Sequence, residues 1–376
     1  MIIDYSFLFD LVRDCYSMLS YNNKSNKVII PLRYFIDFTY RCNHSCPYCY
    51  IGKNRNMNEL TSDEWKKVID QIPRFGIISF IGGEPLFRKD FIEVYEYASK
   101  RCPGHVNLYT NALLIDEDII QSFIKNKLLE LSFSLDGIGD AHDKSRNYPG
   151  AYETIINNVT NLQNQAKGKT RIIYDVKTVL HADNIEQMPL LYELCEKNDW
   201  EFLSITFLRT VFLKQCSDLR PELTSEFNCS REPVKLYFDM NKFKEAFKEI
   251  DKMSKYYKTK LRWAPKFKPF NNVKDIEKFF EESEKGTPLT EMFNPCLFPF
   301  SNLYINPEGN VYPCLSVNMG SVREKPLMAI INSPEFIKFR EQLKKEKLFT
   351  ACQMCCEPHF KKEFLKNKAI VHNIKN

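Results

Sequence analysis

Cys42, Cys46 and Cys49 lie in Arg41-Cys42-Asn43-His44-Ser45-Cys46-Pro47-Tyr48-Cys49. The Cys-x3-Cys-x2-Cys spacing puts three thiols on one tight loop. Three thiolates can hold three irons of a cubane cluster that ordinarily takes four ligands, leaving one iron open to a small molecule. Zinc competes, because a structural zinc site wants four nitrogen or sulfur ligands and His44 would supply the fourth. About thirty residues on stands Gly82-Gly83-Glu84-Pro85. Its glycines permit close backbone approach to a ligand, and Glu84 can accept hydrogen bonds from an ammonium group. By itself this run also reads as a plain turn from strand to helix.

A second set of cysteines occupies the last quarter of the chain. Cys296 and Cys314 are separated by 17 residues, Gly309 precedes Cys314 by five positions, and Cys352-Gln353-Met354-Cys355-Cys356 follows. A hairpin, a helix and paired cysteines would converge there on one four-thiolate site. Zinc ribbons share this pattern, so spacing alone leaves zinc and iron–sulfur level. Cys15, Cys102, Cys195, Cys216 and Cys229 follow no ligand spacing and read as small core or surface residues. His105, His181 and His372 show no constellation, whereas His359, four residues after Cys355, is a further candidate ligand.

Thirteen cysteines in 376 residues with no secretory signal argue against a disulfide scaffold and for metal or catalysis in a reducing, cytoplasmic compartment. No apolar run is long enough to span a membrane. The formal charge of +5 is too small to argue for nucleic acid. The hydrophobic fraction of 44% allows a sizeable core.

The elements that must position these residues follow a regular rhythm. Residues 3–20 read as an amphipathic helix. Strands are expected at 33–40, 77–81, 105–110, 129–135, 171–180 and 201–208. Helices are expected at 62–72, 90–101, 116–126, 151–166 and 184–198, the first opened by a capping box of Thr61 and Glu64. Such alternation predicts parallel βαβ units, and six of them make an incomplete barrel with its chemistry at the C-terminal strand ends. Residues 209–270 break the rhythm with 15 Lys and Arg against 8 Asp and Glu, a local charge of +7. Asn241–Lys258 reads there as a charged helix, with Tyr256, Tyr257, Trp263, Phe267 and Phe270 at and beyond its end. The segment is either a solvated face with its packing aromatics or a docking surface for an acidic partner. Farther on, 304–312 reads as a hairpin and 334–345 as a helix.

At this point the chain resembles the radical S-adenosylmethionine (SAM) superfamily. The likeness rests on Cys42, Cys46, Cys49, the aromatic Tyr48, and Gly82-Gly83-Glu84-Pro85, over residues 33–210. It implies a [4Fe–4S] cluster whose open iron binds SAM, reductive cleavage to a 5′-deoxyadenosyl radical, and hydrogen abstraction from substrate. It further implies that Glu84 with Gly82, Gly83 and Pro85 holds the SAM ammonium. Asn111 faces the site, Ser134 and Asp136 meet the ribose, and Arg146 lies near the SAM carboxylate; Thr178 and the backbone at Phe207 and Leu208 match more loosely. The last quarter resembles the SPASM and twitch extensions. In the twitch version one auxiliary [4Fe–4S] cluster is held, here by Cys296, Cys314, Cys352 and Cys355, with Cys356 an alternative to Cys355.

The expectation is therefore an α/β protein in four parts. Residues 1–32 are a lead-in with a helix, 33–210 a partial (β/α)6 barrel, 211–290 an irregular basic connection, and 291–376 a small α+β cluster domain with a basic tail. It would oxidise a substrate with SAM and a flavodoxin- or ferredoxin-type electron donor, away from membrane and nucleic acid. A ribosomally made precursor peptide is the favoured substrate, although the residues before the first strand are too few for a separate leader-recognition domain. The alternatives are dehydrogenation of a small molecule such as an aminocyclitol or sugar, and a non-enzymatic zinc protein.

Overall fold

The computed structural model describes residues 5–49, 51, 58–208, 239–264, 277–278, 281–282, 285, 287, 289–314, 317–349, 352, 355, 357, 359 and 361. Helix α1 (Tyr5–Asn22) leads into β1 (Arg33–Thr39). Then come α2 (Ser62–Asp70), β2 (Ile77–Gly82), α3 (Phe91–Arg101), β3 (Val106–Thr110), α4 (Glu117–Asn126) and β4 (Glu130–Ser134). Two helices, α5 (Asp140–Arg146) and α6 (Ala151–Ala166), precede β5 (Ile173–Leu180), α7 (Met188–Lys197) and β6 (Phe202–Phe207). The described part continues with α8 (Met240–Met253), β7 (Lys260–Ala264), α9 (Leu289–Met292), β8 (Asn302–Ile305), β9 (Val311–Tyr312), α10 (Leu327–Ile331) and α11 (Pro334–Glu346).

Strands β1 to β7 pair in sequence order, each parallel to the next. Helical crossovers force that arrangement and put helices over the sheet. On the helix side, alternate residues are apolar and buried: Tyr34, Ile36 and Phe38 on β1, Ile78 and Phe80 on β2, Leu131 and Phe133 on β4. Phe38 meets Trp65 of α2 at 5.7 Å and Phe91 of α3 at 6.0 Å; Phe133 meets Trp200 at 4.9 Å. The capping box opens α2 as expected, with Glu64 N–H donating to Thr61 Oγ1 (3.3 Å) and Thr61 N–H to Glu64 Oε2 (2.8 Å). Among the described residues no helix is long and apolar enough to cross a membrane.

The α/β class and parallel sheet are as expected, and the sheet extends past six strands at both edges. Within the stretch read as irregular, α8 buries Phe243, Ala246, Phe247 and Ile250, and β7 pairs with β6. Lys-Leu-Arg-Trp-Ala alternates as a strand should, but its alternate positions carry Lys260 and Arg262, which merge with the basic composition around them. Trp263 packs on Phe247 (4.8 Å) and Phe207 (6.1 Å), and Tyr257 on Tyr192 (5.1 Å), so these two aromatics are core. Tyr256 is exposed. Phe267, Phe270, Cys216, Cys229, Cys356, His372 and the basic tail lie outside the described residues. The expected hairpin is β8–β9, with Tyr304 opposite Tyr312. β8 also pairs parallel to β1, Arg33 opposite Asn302 and Ile36 opposite Ile305, which carries the barrel sheet into the C-terminal region.

Candidate functional site

The three N-terminal cysteines leave β1 at its C-terminal end, where the turn after β2 meets them. Gly83 N–H donates to Thr39 O (2.7 Å) and Glu84 N–H to Arg41 O (2.9 Å). A Cβ at Gly82 would stand 2.4 Å from Thr39 O, and one at Gly83 2.3 Å from Arg41 O, with Gly82 at φ +122°. Both positions therefore demand glycine, and what presses on them is the backbone that launches the cysteine loop. Pro85 starts a short 3-10 turn, where its missing N–H is no loss.

Glu84 is wholly buried. Its Oε1 accepts from Leu86 N–H (3.0 Å) and Thr110 Oγ1 (2.7 Å), and its Oε2 from Asn111 N–H (2.6 Å). The carboxylate thus clamps the end of β2 to the end of β3 and keeps a lone pair on Oε2. Burial raises its pKa to about 7 against the pull of those donors. Asn111 Nδ2 donates to Asn43 Oδ1 (2.7 Å), tying β3 to the cysteine loop. His44 N–H points at Cys42 Sγ (3.4 Å), and His44 stacks on Tyr148 at 4.9 Å.

Cys42 and Cys49 are exposed and Cys46 half-buried, all as free thiols. Burial pushes the Cys42 thiol up to about 11. Burial likewise raises Cys46, opposed by the charge and hydrogen bond of Arg146. Among the described residues no three His, Cys, Asp or Glu side chains form a ready-made metal cage. The donor set itself, three soft sulfurs on one loop with an N–H directed at one of them, fits a cluster that keeps one iron open.

Asp136 is the hub of the far side. It is fully buried, and its Oδ1 accepts from Val179 N–H (2.8 Å) and Thr178 Oγ1 (3.3 Å). Its Oδ2 accepts from the Tyr48 hydroxyl and Ser145 Oγ (3.2 Å) and pairs with Arg146 Nε at 2.5 Å. Burial alone would raise this carboxyl, but Arg146, Tyr48 and the Val179 N–H hold it below the usual range. Arg146 lies over the Tyr48 ring at 5.5 Å. Both Asp136 oxygens are thus taken by protein donors, and Asp136 acts by holding Tyr48 and Arg146. Ser134, at the end of β4, makes no side-chain hydrogen bond among the described residues. His142, buried and kept neutral with a pKa near 4 by burial and by Arg146, accepts the Asp136 N–H on Nδ1 (3.0 Å).

Sequence reading passed over four of these residues. His181 does have a constellation: its Nε2 meets Ser145 Oγ at 2.9 Å and its ring lies 5.6 Å from Tyr48. Ser145, Thr110 and Asn184, which donates to Asp136 O (3.0 Å), complete the shell. Each follows the end of a strand or sits on the helix behind it, so distance from a strand end was the available signal.

At the other cysteine set, Cys296, Cys314, Cys352 and Cys355 are all half-buried. Cys352 N–H donates to Phe349 O (2.9 Å), Cys355 N–H to Cys352 O (3.1 Å), and Glu357 N–H to Cys355 Sγ (3.5 Å). Asn294 N–H donates to the carbonyl of His359 (2.8 Å), joining the two ends of this region. Phe35, Phe298 and Tyr304 form a stack with rings 4.7 to 5.8 Å apart, and Cys296 and Cys314 pack against it. Phe35 of β1 and Tyr304 of β8 lie on the face opposite Tyr34 and Ile36, and Phe298 joins them from the turn before β8, so Cys296 and Cys314 border the inside of the barrel.

Comparison with known families agrees with this geometry. The model of the radical SAM superfamily matches residues 36–195, and that of SPASM, an iron–sulfur cluster-binding domain, matches residues 296–356. This favours iron–sulfur over zinc at both sites. An AdoMet-dependent heme synthase of Methanosarcina barkeri is 27% identical over 326 residues, 85% of this chain and 86% of its own length. A PqqA peptide cyclase of Bradyrhizobium diazoefficiens is 28% identical over 212 residues, and the match spans 54% of this chain and 53% of that protein. Streptococcus suis SuiB bound to S-adenosylmethionine has the same fold, with TM-score 0.61 and 15% identity over 88% of this chain and 73% of its own.

Proposed function

The chain belongs to the radical SAM superfamily and carries a C-terminal SPASM iron–sulfur domain; from that premise we propose that it oxidises a substrate held inside the barrel between its two cysteine sets. When bound, an open-iron cluster with SAM would supply the radical chemistry for hydrogen abstraction, and an auxiliary cluster would supply an electron acceptor. Cys42, Cys46 and Cys49 would hold the first cluster. Cys296, Cys314, Cys352 and Cys355 would hold the second, with Cys356 an alternative to Cys355. The observation that supports an oxidative outcome is that Cys296 and Cys314 pack on the same inner aromatic stack that β1 presents below the first cysteine loop. Iron and acid-labile sulfide after anaerobic reconstitution test it: about eight of each per chain are expected, and about four would remove the second cluster and the reason for oxidation.

In this reading Glu84 receives the SAM ammonium on its remaining Oε2 lone pair, and Arg146 receives the carboxylate in its planar fork. Glu84 binds as carboxylate, which forms above its pKa of about 7. SAM affinity should therefore fall between pH 8 and pH 6, more steeply in the native protein than in Glu84→Gln. Because both Glu84 oxygens already accept donors, the Gln amide would face an N–H or O–H, and affinity at pH 8 should drop roughly 10- to 100-fold, the range of one unsatisfied buried pair. Equal SAM affinity in Glu84→Gln would remove Glu84 from the site. Linkage runs the other way for the SAM-free protein. A carboxyl raised on folding stabilises below its unfolded value, and that contribution is lost as pH rises through 7.

The favoured substrate is a ribosomally made precursor peptide; the similarity to a PqqA peptide cyclase, named for a peptide, supports a peptide substrate. Exposed Lys248, Lys252 and Lys255 on and after α8 offer a basic face for an acidic segment. Reversing all three to Glu should weaken binding of a Glu- and Asp-rich peptide at least tenfold at low salt, with the difference shrinking as salt is added. Unchanged binding would discard this face. A second reading, oxidation of a small molecule instead of a peptide, is supported by the match to the heme synthase, which spans 86% of that protein's length.

A further inference from the structure

The face of the sheet away from the helices carries a polar network that reaches across all seven parallel strands. Arg33 of β1 donates to Ser79 Oγ of β2 (3.3 Å) and Tyr109 Oη of β3 (3.3 Å). Lys177 of β5 lies over the Tyr109 ring at 5.3 Å and donates to Asp175 Oδ2 (2.7 Å) and Ser204 Oγ of β6 (3.1 Å). Arg262 of β7 donates to Asp175 Oδ2 (2.7 Å) and lies 3.6 Å from Glu130 Oε2 of β4, with its guanidinium on the Phe202 ring at 3.3 Å. Barrel interiors are ordinarily filled by branched apolar side chains. Here three cations meet two carboxylates.

The exposures of these groups decide what the network is for. Asp175 is 0% exposed and Glu130 11%, whereas Lys177 is 28% and Arg262 35% exposed. The anions lie underneath and the cations face open space. Arg33 is half-buried and has no carboxylate within ion-pair distance among the described residues; Glu130 and Glu357 act on it only at longer range. Arg33 also lies over the Phe35 ring at 4.7 Å, and Phe35 belongs to the stack against Cys296 and Cys314. Lys177 stands two residues before Val179 and Tyr109 two before Asn111, about 7 Å along each strand from the contacts of Asp136 and Glu84.

We propose that Arg33, Lys177 and Arg262 form a carboxylate-binding floor inside the barrel, which seats an anionic group of the substrate below the SAM-binding end and beside the auxiliary cysteines. This deepens the reading given above, on which it rests. It assigns the substrate's recognition to a carboxylate, whether carried by a peptide side chain or by a small molecule. Arg33 determines specificity, because its fork is the one not engaged by a protein carboxylate.

The test uses the reconstituted full chain and two probe pairs: a porphyrin tetracarboxylate with its tetramethyl ester, and the peptide acetyl-Glu-Ala-Ala-Ala-Tyr-amide with its Gln counterpart. Binding is measured by calorimetry, and 5′-deoxyadenosine is quantified in parallel. At least one acid should bind the native protein tenfold or more tighter than its neutral partner, and which pair does so identifies the source. Arg33→Gln should erase the preference while leaving iron content and SAM binding unchanged. If Arg33→Gln does not fold, Lys177→Gln reads out the same loss. Equal binding of acid and neutral forms, binding of neither acid, or a preference that survives in a folded variant overturns the floor. Acid preference without any 5′-deoxyadenosine from the native enzyme would instead sink the catalytic reading and leave the floor standing.

Discussion

Cys46→Ala should abolish SAM cleavage and remove about four irons, whereas Cys314→Ala should remove a similar number and leave part of the cleavage intact. The asymmetry follows from what each loop touches. Cys46 is the middle thiol of a three-thiol loop, and it sits beside Arg146 and the Tyr48–Asp136 contact. Two thiols do not hold a cubane that has three protein ligands to begin with, so rate falls to background, several orders of magnitude. Cys314 packs against the Phe35, Phe298 and Tyr304 stack and belongs to the other cysteine set. Its loss should spare 5′-deoxyadenosine formation while product falls at least tenfold. The measurement is iron, 5′-deoxyadenosine and product on the same reconstituted samples. Full turnover by Cys314→Ala would end the electron-acceptor role of the second site.

Asp136→Asn should lower stability by about 3–5 kcal/mol, the penalty for breaking a buried ion pair from one side. Arg146 would be left with its charge partner gone, and the Asn amide would turn a donor toward Tyr48, Ser145 and Arg146, or toward Val179 N–H and Thr178. SAM binding should weaken along with it, since Tyr48 and Arg146 lose their anchor. The pH dependence has a definite sign. Asp136 is held below its unfolded value of 3.8, so its contribution is present above that pH and lost as pH falls below it. The gap in stability between native and Asp136→Asn proteins, measured by denaturant unfolding, should be full at pH 7 and narrow toward pH 3. A gap that is absent at pH 7 would mean that the hub carries no net energy.

Much of the site could be read without coordinates. The N-terminal cysteine loop, Glu84, Asn111 and Asp136 all follow a strand end closely, where a parallel sheet presents its loops. The capping box at Thr61 and the β8–β9 hairpin were legible for the same reason, being determined by neighbours three to ten residues apart. What Gly82 and Gly83 are for was not legible. Their partners, Thr39 and Arg41, lie some forty residues away, and the close approach exists only once β1 and β2 pair in register. β7 was hidden because a strand with Lys260 and Arg262 at alternate positions resembles a solvated stretch until something is seen to face them.

The chain's own residue order therefore determined the chemistry available: soft sulfur donors at cluster spacing, a carboxylate after paired glycines, and a βαβ rhythm that must close into a parallel sheet. Only the tertiary structure decided which groups share a face. Arg33, Tyr109, Glu130, Asp175, Lys177 and Arg262 are spread over five strands and more than two hundred residues. Side chains alternate faces every residue, so inward position depends on register, and register is decided by burial of the apolar side against the helices. That long-range choice gathers isolated charges into one network and brings the auxiliary cysteines to its border.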